Sequence, residues 1–174
     1  MIKIIVAYDK NRVIGAENKL LWRSPEDMKH FKDQTTGHNC IMGSNTWFSI
    51  PEKYRPLADR YNIVVTSKNL IPEETNKIAV SKSVGSAIMI ARFSAEWGKK
   101  DIFITGGESI YQAGLEFAEE IIATEFDFEA DTTGLSNIRY FPLIDMNVWE
   151  EAAREDHSEA NPPFAFVTYK RRGS

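Results

Sequence analysis

Asp101-Ile102-Phe103-Ile104-Thr105-Gly106-Gly107-Glu108-Ser109-Ile110-Tyr111 decides how the chain folds. Its first five residues are mostly β-branched and aromatic, as in a strand buried on both faces. Two glycines follow, and the spacing after them predicts a helix over residues 109–117. A strand that turns tightly into a helix is half of a βαβ unit, so its sheet should be largely parallel.

The alternation recurs on both sides of this stretch. Residues 2–8 (IKIIVAY), 40–42, 62–66 (NIVVT), 78–80 and 121–128 read as strands. Ser24 is a good N-cap and Pro25 suits the first helical position, so a helix should run to Thr35 or Thr36, closed by Gly37. Ser83 caps another through Phe93, with Val84, Ala87, Ile88 and Ala91 on one face. Residues 46–50 read as a short helix or turn stopped by Pro51. Residues 13–19, 52–60 and 72–76 read as loops. Residues 148–155 and 164–171 read as an antiparallel hairpin across a polar segment with Pro162-Pro163. The expected fold is α/β with three layers: a mostly parallel central sheet, flanking helices and a C-terminal antiparallel hairpin. At 174 residues, 43% of them hydrophobic, one domain is expected over residues 1–172. Residues 173–174 read as a cloning remnant.

Several function classes fall away. A net charge of −4 lacks the basic footprint of a nucleic-acid binder. No apolar run is long enough for a membrane helix, and no signal peptide opens the chain. The lone Cys40 sits in an apolar run, which suits a core thiol in a reducing, cytoplasmic compartment. His30, His38 and His157 lack metal-ligand spacing, so no metal is expected. There is no nucleophile elbow, Walker A motif or G-x-G-x-x-G fingerprint. Glu116, Glu119 and Glu120 read as a solvated helix face, the four tryptophans as core or rim packing, and Arg60 as a surface residue by default.

The residue that asks for chemistry is Asp27. It stands three after Ser24, near the capping-box spacing, and on spacing alone a helix cap is the simpler reading. Asp27 also shares a face with Phe31, four residues on, with Met28 beside them; Glu26, Lys29 and His30 point elsewhere. A carboxylate on an apolar face needs a partner, and a flat ligand with adjacent N–H donors would serve. In an open α/β sheet such ligands gather at the carboxyl ends of strands. Residues 7–19, 43–46, 66–68 and 105–111 belong there.

These pieces occur together in a known order. Val13-Ile14-Gly15 with Glu17-Asn18, Trp22-Arg23-Ser24-Pro25-Glu26-Asp27, Phe31-Lys32 and Ile41-Met42-Gly43 come first. Thr46-Trp47-Phe48-Ser49-Ile50, Pro56-Leu57 with Arg60, Gly106-Gly107 with Tyr111, and Asp131-Thr132 ahead of Phe141-Pro142 follow. On these motifs the chain resembles the dihydrofolate reductases over nearly its whole length. The resemblance implies NADPH-dependent reduction of dihydrofolate by a cytoplasmic monomer that antifolates would inhibit. It implies that Asp27 binds the pterin through the 2-amino group and N3, with Thr124 assisting from across the site. Tyr111, Trp22 and Leu20 would join Asp27 as catalytic residues. Ile5, Met28, Phe31 and Ile50 would line the substrate pocket, with further contacts from Ala7, Lys32, Ser49, Leu57 and Thr105. Arg60 would grip the carboxylate of the glutamate tail. Ala7, Ile14, Gly15, Asn18, Lys19 and Leu20 would border the nicotinamide. Gly43, Ser44, Asn45 and Thr46, with Thr105, Gly106, Gly107, Glu108, Ser109, Ile110 and Tyr111, would hold the rest of the cofactor. Gly106-Gly107 matches the family's cis peptide.

Some positions depart from the family. Leu21 replaces a proline, Leu20 a methionine and Ala130 a glycine, while residues 133–139 form an insertion. Ser44 and Ser109 stand where basic residues often hold the 2′-phosphate. Thr66, Ser67, Lys68 and Lys82 offer hydroxyls and point charges in their stead. Two rivals remain: a reductase of the same fold acting on another heterocycle, as in riboflavin synthesis, and a non-catalytic folate- or nucleotide-binding relative. The residues matching a pterin and a glutamate tail speak against the first, and Asp27, Tyr111 and Gly106-Gly107 against the second.

Overall fold

The first strand, β1 (Ile2–Tyr8), runs through the middle of an eight-stranded sheet. A computed structural model describes residues 1–69 and 75–173. After β1 come β2 (Val13–Gly15), α1 (Pro25–Thr35), β3 (Asn39–Gly43), α2 (Ser44–Ser49), β4 (Tyr61–Val65) and β5 (Ile78–Ser81). Then follow α3 (Val84–Phe93), β6 (Ile102–Ile104), α4 (Glu108–Gly114), β7 (Glu120–Phe126), β8 (Arg139–Tyr140), β9 (Trp149–His157) and β10 (Phe164–Arg171). The sheet order is β5-β4-β3-β6-β1-β7-β10-β9. Every pairing from β5 across to β7 is parallel, and β10 runs antiparallel to both of its neighbours. The parallel sheet and closing hairpin expected from the strand pattern are both present.

Alternation along the strands makes the three layers. Ile4 of β1 packs in one core with Ile41, Ile63 and Ile104 and with Val84, Ala87, Ile88 and Ala91 of α3. Its neighbour Ile5 faces the other side, with Phe103, Ile122 and Phe31 of α1. Cys40 and Met42 flank Ile41 and turn to that second face, against Trp47 of α2. Successive side chains of a buried strand must serve opposite layers. Ile4, Ile41, Ile63 and Ile104 are fully buried, and each such side chain stabilises the fold by about 1.5–3 kcal/mol.

Three sequence expectations change. Residues 13–15 are strand rather than loop, since β2 pairs with β8 to form a separate two-stranded sheet. Strands of two and three residues carry no readable periodicity. The helix expected over 109–117 ends at Gly114, where an added Cβ would lie 2.7 Å from Ile104 Cδ1. Glu120 therefore opens β7 beside Lys3, at 3.8 Å, rather than joining a solvated helix face. The loop over 52–60 holds a 3-10 turn at Glu52–Tyr54, and most of the loop expected over 72–76 lies outside the described residues.

Phe141 anchors the segment that carries β8. It is fully buried, stacks on Tyr8 at 5.5 Å and meets Tyr111 edge-on at 5.1 Å. Its N–H donates to Arg12 O, and its carbonyl accepts from Arg12 Nη1, both at 2.8 Å. Phe141→Ala should lower the unfolding free energy by about 3–5 kcal/mol, read as a lower urea midpoint at unchanged m. A loss below about 1 kcal/mol would show that the ring anchors nothing.

Candidate active site

The carboxyl ends of β1, β3, β4 and β6 open into a cleft of ≈ 540 Å³, reached by Ala7, Gly43, Val65 and Thr105. Its floor is made where β3 and β6 end level with one another. Gly43 N donates to Gly106 O at 2.8 Å. A side chain at Gly43 would press on Ile110 at 3.1 Å. One at Gly106, where φ is +114, would meet the Tyr111 ring at 3.1 Å. The Gly106–Gly107 peptide is cis. Gly43 and Gly107 are the N-caps of α2 and α4, and neither helix start has a side-chain cap. The first N–H groups of both helices are thus left to whatever fills the cleft.

The roof is a hairpin turn. Ala16 and Lys19 exchange backbone bonds of 3.1 and 2.9 Å. Glu17 and Asn18 between them have φ of 50 and 60, the left-handed pair that a two-residue hairpin requires. An added Cβ at Gly15 would lie 2.7 Å from Lys19 O. Ser136 donates to Glu17 Oε1 from its N–H at 3.3 Å and from its hydroxyl at 3.1 Å, tying the inserted segment to this turn.

The cleft gathers most residues expected at a cofactor. Ala7, Ile14, Gly15, Asn18, Lys19 and Leu20 line one side. Gly43, Ser44, Asn45 and Thr46, with Thr105, Gly106, Gly107, Glu108, Ser109, Ile110 and Tyr111, line the other. Ser49, expected at the substrate, lines it too. Thr66, Ser67, Lys68 and Lys82 do not: the lining stops at Val65, and Lys82 follows β5, one strand further out. Sequence reasoning missed Ala16, Val65 and Arg139. Val65 was one residue from the strand end it named. Arg139 had no local signal, because the β2–β8 pairing alone brings it in.

Asp27 lies on α1, partly buried. Ser24 caps α1 by accepting from Asp27 N at 3.2 Å, but among the described residues the reciprocal bond of a capping box, from Ser24 N to the Asp27 carboxylate, is not made. No cation pairs with it among the described residues. Burial raises its pKa, and the facing Thr124 hydroxyl pulls the other way. Tyr111 is buried and donates to Ile5 O at 2.9 Å. Burial, then the charge of Asp27, pushes its phenol upward.

Phe31, four residues beyond Asp27 on α1, packs on the cluster of Ile5, Phe103 and Ile122. Ile50 and Leu57 pack on the Met42–Trp47 cluster. Trp22 meets Phe126 and Phe128 edge-on, each at 5.3 Å. Met28 is 56% exposed, against its assignment to the apolar face, and Lys32 and Leu20 are exposed as well. His30, three residues after Asp27, shares its face and turns to the sheet, whereas Met28, the next residue, lies off that face. His30 stacks on Phe166 at 3.9 Å, with Nε2 buried and unpartnered.

Arg60 is not a surface residue: it is 7% exposed. Its Nε donates to Ala58 O at 2.8 Å and Nη1 to Thr35 Oγ1 at 3.1 Å. Both partners are neutral. Burial lowers its pKa, opposed by Cys40 and Asp59. Cys40 is a core residue whose thiol burial pushes up to about 12. Among the described residues no His, Cys, Asp and Glu group could hold a metal ion, and no helix is long and apolar enough to cross a membrane.

Comparison with known proteins agrees with this geometry. The dihydrofolate reductase family model matches residues 1–171. The chain is 35% identical to dihydrofolate reductase HdrB of Haloferax volcanii over 97% of its length and 82% of the relative's. It is 34% identical to the dihydrofolate reductase of Bacillus subtilis, over 100% of this chain and 96% of that one. Among solved structures, the dihydrofolate reductase of Enterococcus faecalis, complexed with NADP(H) and RAB-propyl, superposes with a TM-score of 0.81 at 27% identity. That match covers 99% of this chain and 96% of the other. The chain belongs to the dihydrofolate reductase family.

Proposed function

We propose that residues 1–172 form one domain that reduces 7,8-dihydrofolate to 5,6,7,8-tetrahydrofolate with NADPH, at the cleft and the pocket beside it. The observation that carries this reading is Asp27: a partly buried carboxylate that, among the described residues, has no cationic partner and closes no capping box with Ser24. A buried charge without a partner is expensive. A pterin offering its 2-amino group and N3–H would satisfy both oxygens at once.

The residues of the cleft fit the cofactor. Uncapped amides at Ser44–Thr46 and Glu108–Ile110 offer donors to phosphate, and glycines at 43, 106 and 107 let it approach the backbone. Ala7, Ile14 and Tyr111 would border the nicotinamide. Bound there, NADPH supplies the hydride that reduces C6 of dihydrofolate. Asp27 holds the far side of the pterin, so it orients the ring and raises the basicity of N5, and water delivers the N5 proton. Ile5 and Phe31 give the ring an apolar bed that excludes other water. Arg60, buried and served only by neutral partners, suits the carboxylate of the glutamate tail. Its partner Thr35 lies two turns beyond Asp27, about 12 Å along α1. That span leaves room for the aryl group between ring and tail. Such an enzyme would work as a monomer in the reducing cytoplasm, where NADPH and a free Cys40 persist, and antifolates would compete for the Asp27 pocket.

Asp27→Asn should cut turnover at neutral pH by about a hundredfold or more. Activity should partly return at acid pH, where the substrate arrives protonated. Stability should move oppositely. The Asp27 pKa is raised on folding, so its favourable contribution is present at low pH and is lost as pH rises through the folded value. The variant should therefore melt higher than the parent at neutral pH, and the gain should fade towards about pH 4. Near-normal turnover at neutral pH would remove Asp27 from the reaction.

Arg60→Leu should weaken dihydrofolate binding by about 1.5–3 kcal/mol, while a pterin lacking the glutamate binds as before. Equal losses for both ligands would take Arg60 off the tail.

A further inference from the structure

Arg139 lines the cleft, yet the mechanism above gives it no role. It closes the segment over residues 133–139, and β8 seats it opposite Gly15 of the roof. Its Nη1 lies 3.4 Å from Glu108 Oε2, while Glu108 Oε1 accepts from Tyr140 N at 2.9 Å. The root of the side chain is therefore fixed, between that backbone bond and the buried ring of Phe141. Its head is not: the side chain is 53% exposed and makes one long contact. A guanidinium carries five donors in a fork that matches phosphate.

The charge of the cleft gives this arm a purpose. Among the described lining residues the cations are Lys19 and Arg139, and Glu108 is an anion. A pyrophosphate brought into that cleft would meet the Glu108 carboxylate. We propose that Arg139 binds the pyrophosphate of the nicotinamide cofactor and at the same time offsets Glu108. This rests on the cofactor assignment made above. The pyrophosphate is favoured over the 2′-phosphate by position. Arg139 spans Gly15, which follows β1, and Glu108, which follows β6. The cleft's other end is Val65 on β4. With nicotinamide at Ala7 on β1, the adenosine and its 2′-phosphate reach towards β4, and the pyrophosphate lies between.

The test measures Kd for NADPH and NADH by quenching of tryptophan fluorescence, without substrate, at low and high salt. Arg139→Ala should weaken both cofactors alike, by about 10- to 100-fold. Its Kd should depend less on salt than the parent's. Arg139→Lys should recover part of the loss. Arg139→Ala combined with Glu108→Gln should stay weaker than Glu108→Gln alone. Restoration of parental affinity in that double variant would overturn the inference, since Arg139 would then only neutralise Glu108. A loss confined to NADPH would overturn it too, by placing Arg139 on the 2′-phosphate. So would an Arg139→Ala variant that binds both cofactors as the parent does. A parent that binds neither cofactor would instead overturn the proposed function, and this inference with it.

Discussion

The bond from Gly43 N to Gly106 O, 2.8 Å long, is the contact on which the cleft depends. It continues the pairing of β3 with β6 past the last ladder residues, Ile41 and Ile104, so both strands end at one level. The chain can close in this way only because neither residue has a side chain. A Cβ at Gly43 would crowd Ile110, and one at Gly106 would crowd Tyr111 in a backbone region that suits glycine. Two helices then start side by side with their first amides unclaimed. Binding capacity here is a by-product of two strands ending together.

The other half of the site rests on an unfavourable placement. Most of α1 serves ordinary ends: Phe31 joins the core, Thr35 bonds Arg60, and Ser24 caps the start. Asp27 faces the sheet with a charge that burial disfavours and the Thr124 hydroxyl partly supports. Arg60 repeats the pattern with the opposite sign, a buried guanidinium served by a carbonyl and a hydroxyl. A donor-seeking carboxylate near one end of α1 and an anion-seeking guanidinium near the other describe a ligand with N–H donors at one end and a carboxylate at the other. Burial of the apolar sheet on both faces offsets the cost of the two placements.

The roof is held differently from the floor. Its own contacts are slight: a two-residue turn and a bond from Ser136 to Glu17 at the exposed surface. What fixes it is the distant segment that ends in Phe141, through β8 pairing with β2 and through the exchange between Phe141 and Arg12. The buried ring carries the energy, while Arg139 lines the cleft and Ser136 ties the segment to the Glu17 turn. Rigidity at the base with freedom at the tip suits a surface that must admit a ligand and then hold it.

The sequence by itself determined the parallel sheet, its closing hairpin, the faces of α3 and the two glycines at the cleft. Each of these is written in local pattern: period-two runs, helical spacing, a cap, a turn that only glycine permits. It also singled out Asp27, since a carboxylate sharing a helix face with Phe31 needs a partner there. What it left open was whether that carboxylate capped the helix; α1 forms the bond from Asp27 N to Ser24 but not the reciprocal bond from Ser24 N to the carboxylate, which faces Thr124 instead. Local pattern misplaced Met28, His30 and Arg60, because their burial depends on which neighbouring strand or loop covers them. It put Lys68 and Lys82 at the cofactor, just past the end of the cleft at Val65. And it could not find Arg139, which enters the cleft through pairing between segments far apart in the chain. Contacts of that kind leave no periodicity behind, so only the tertiary structure could decide them.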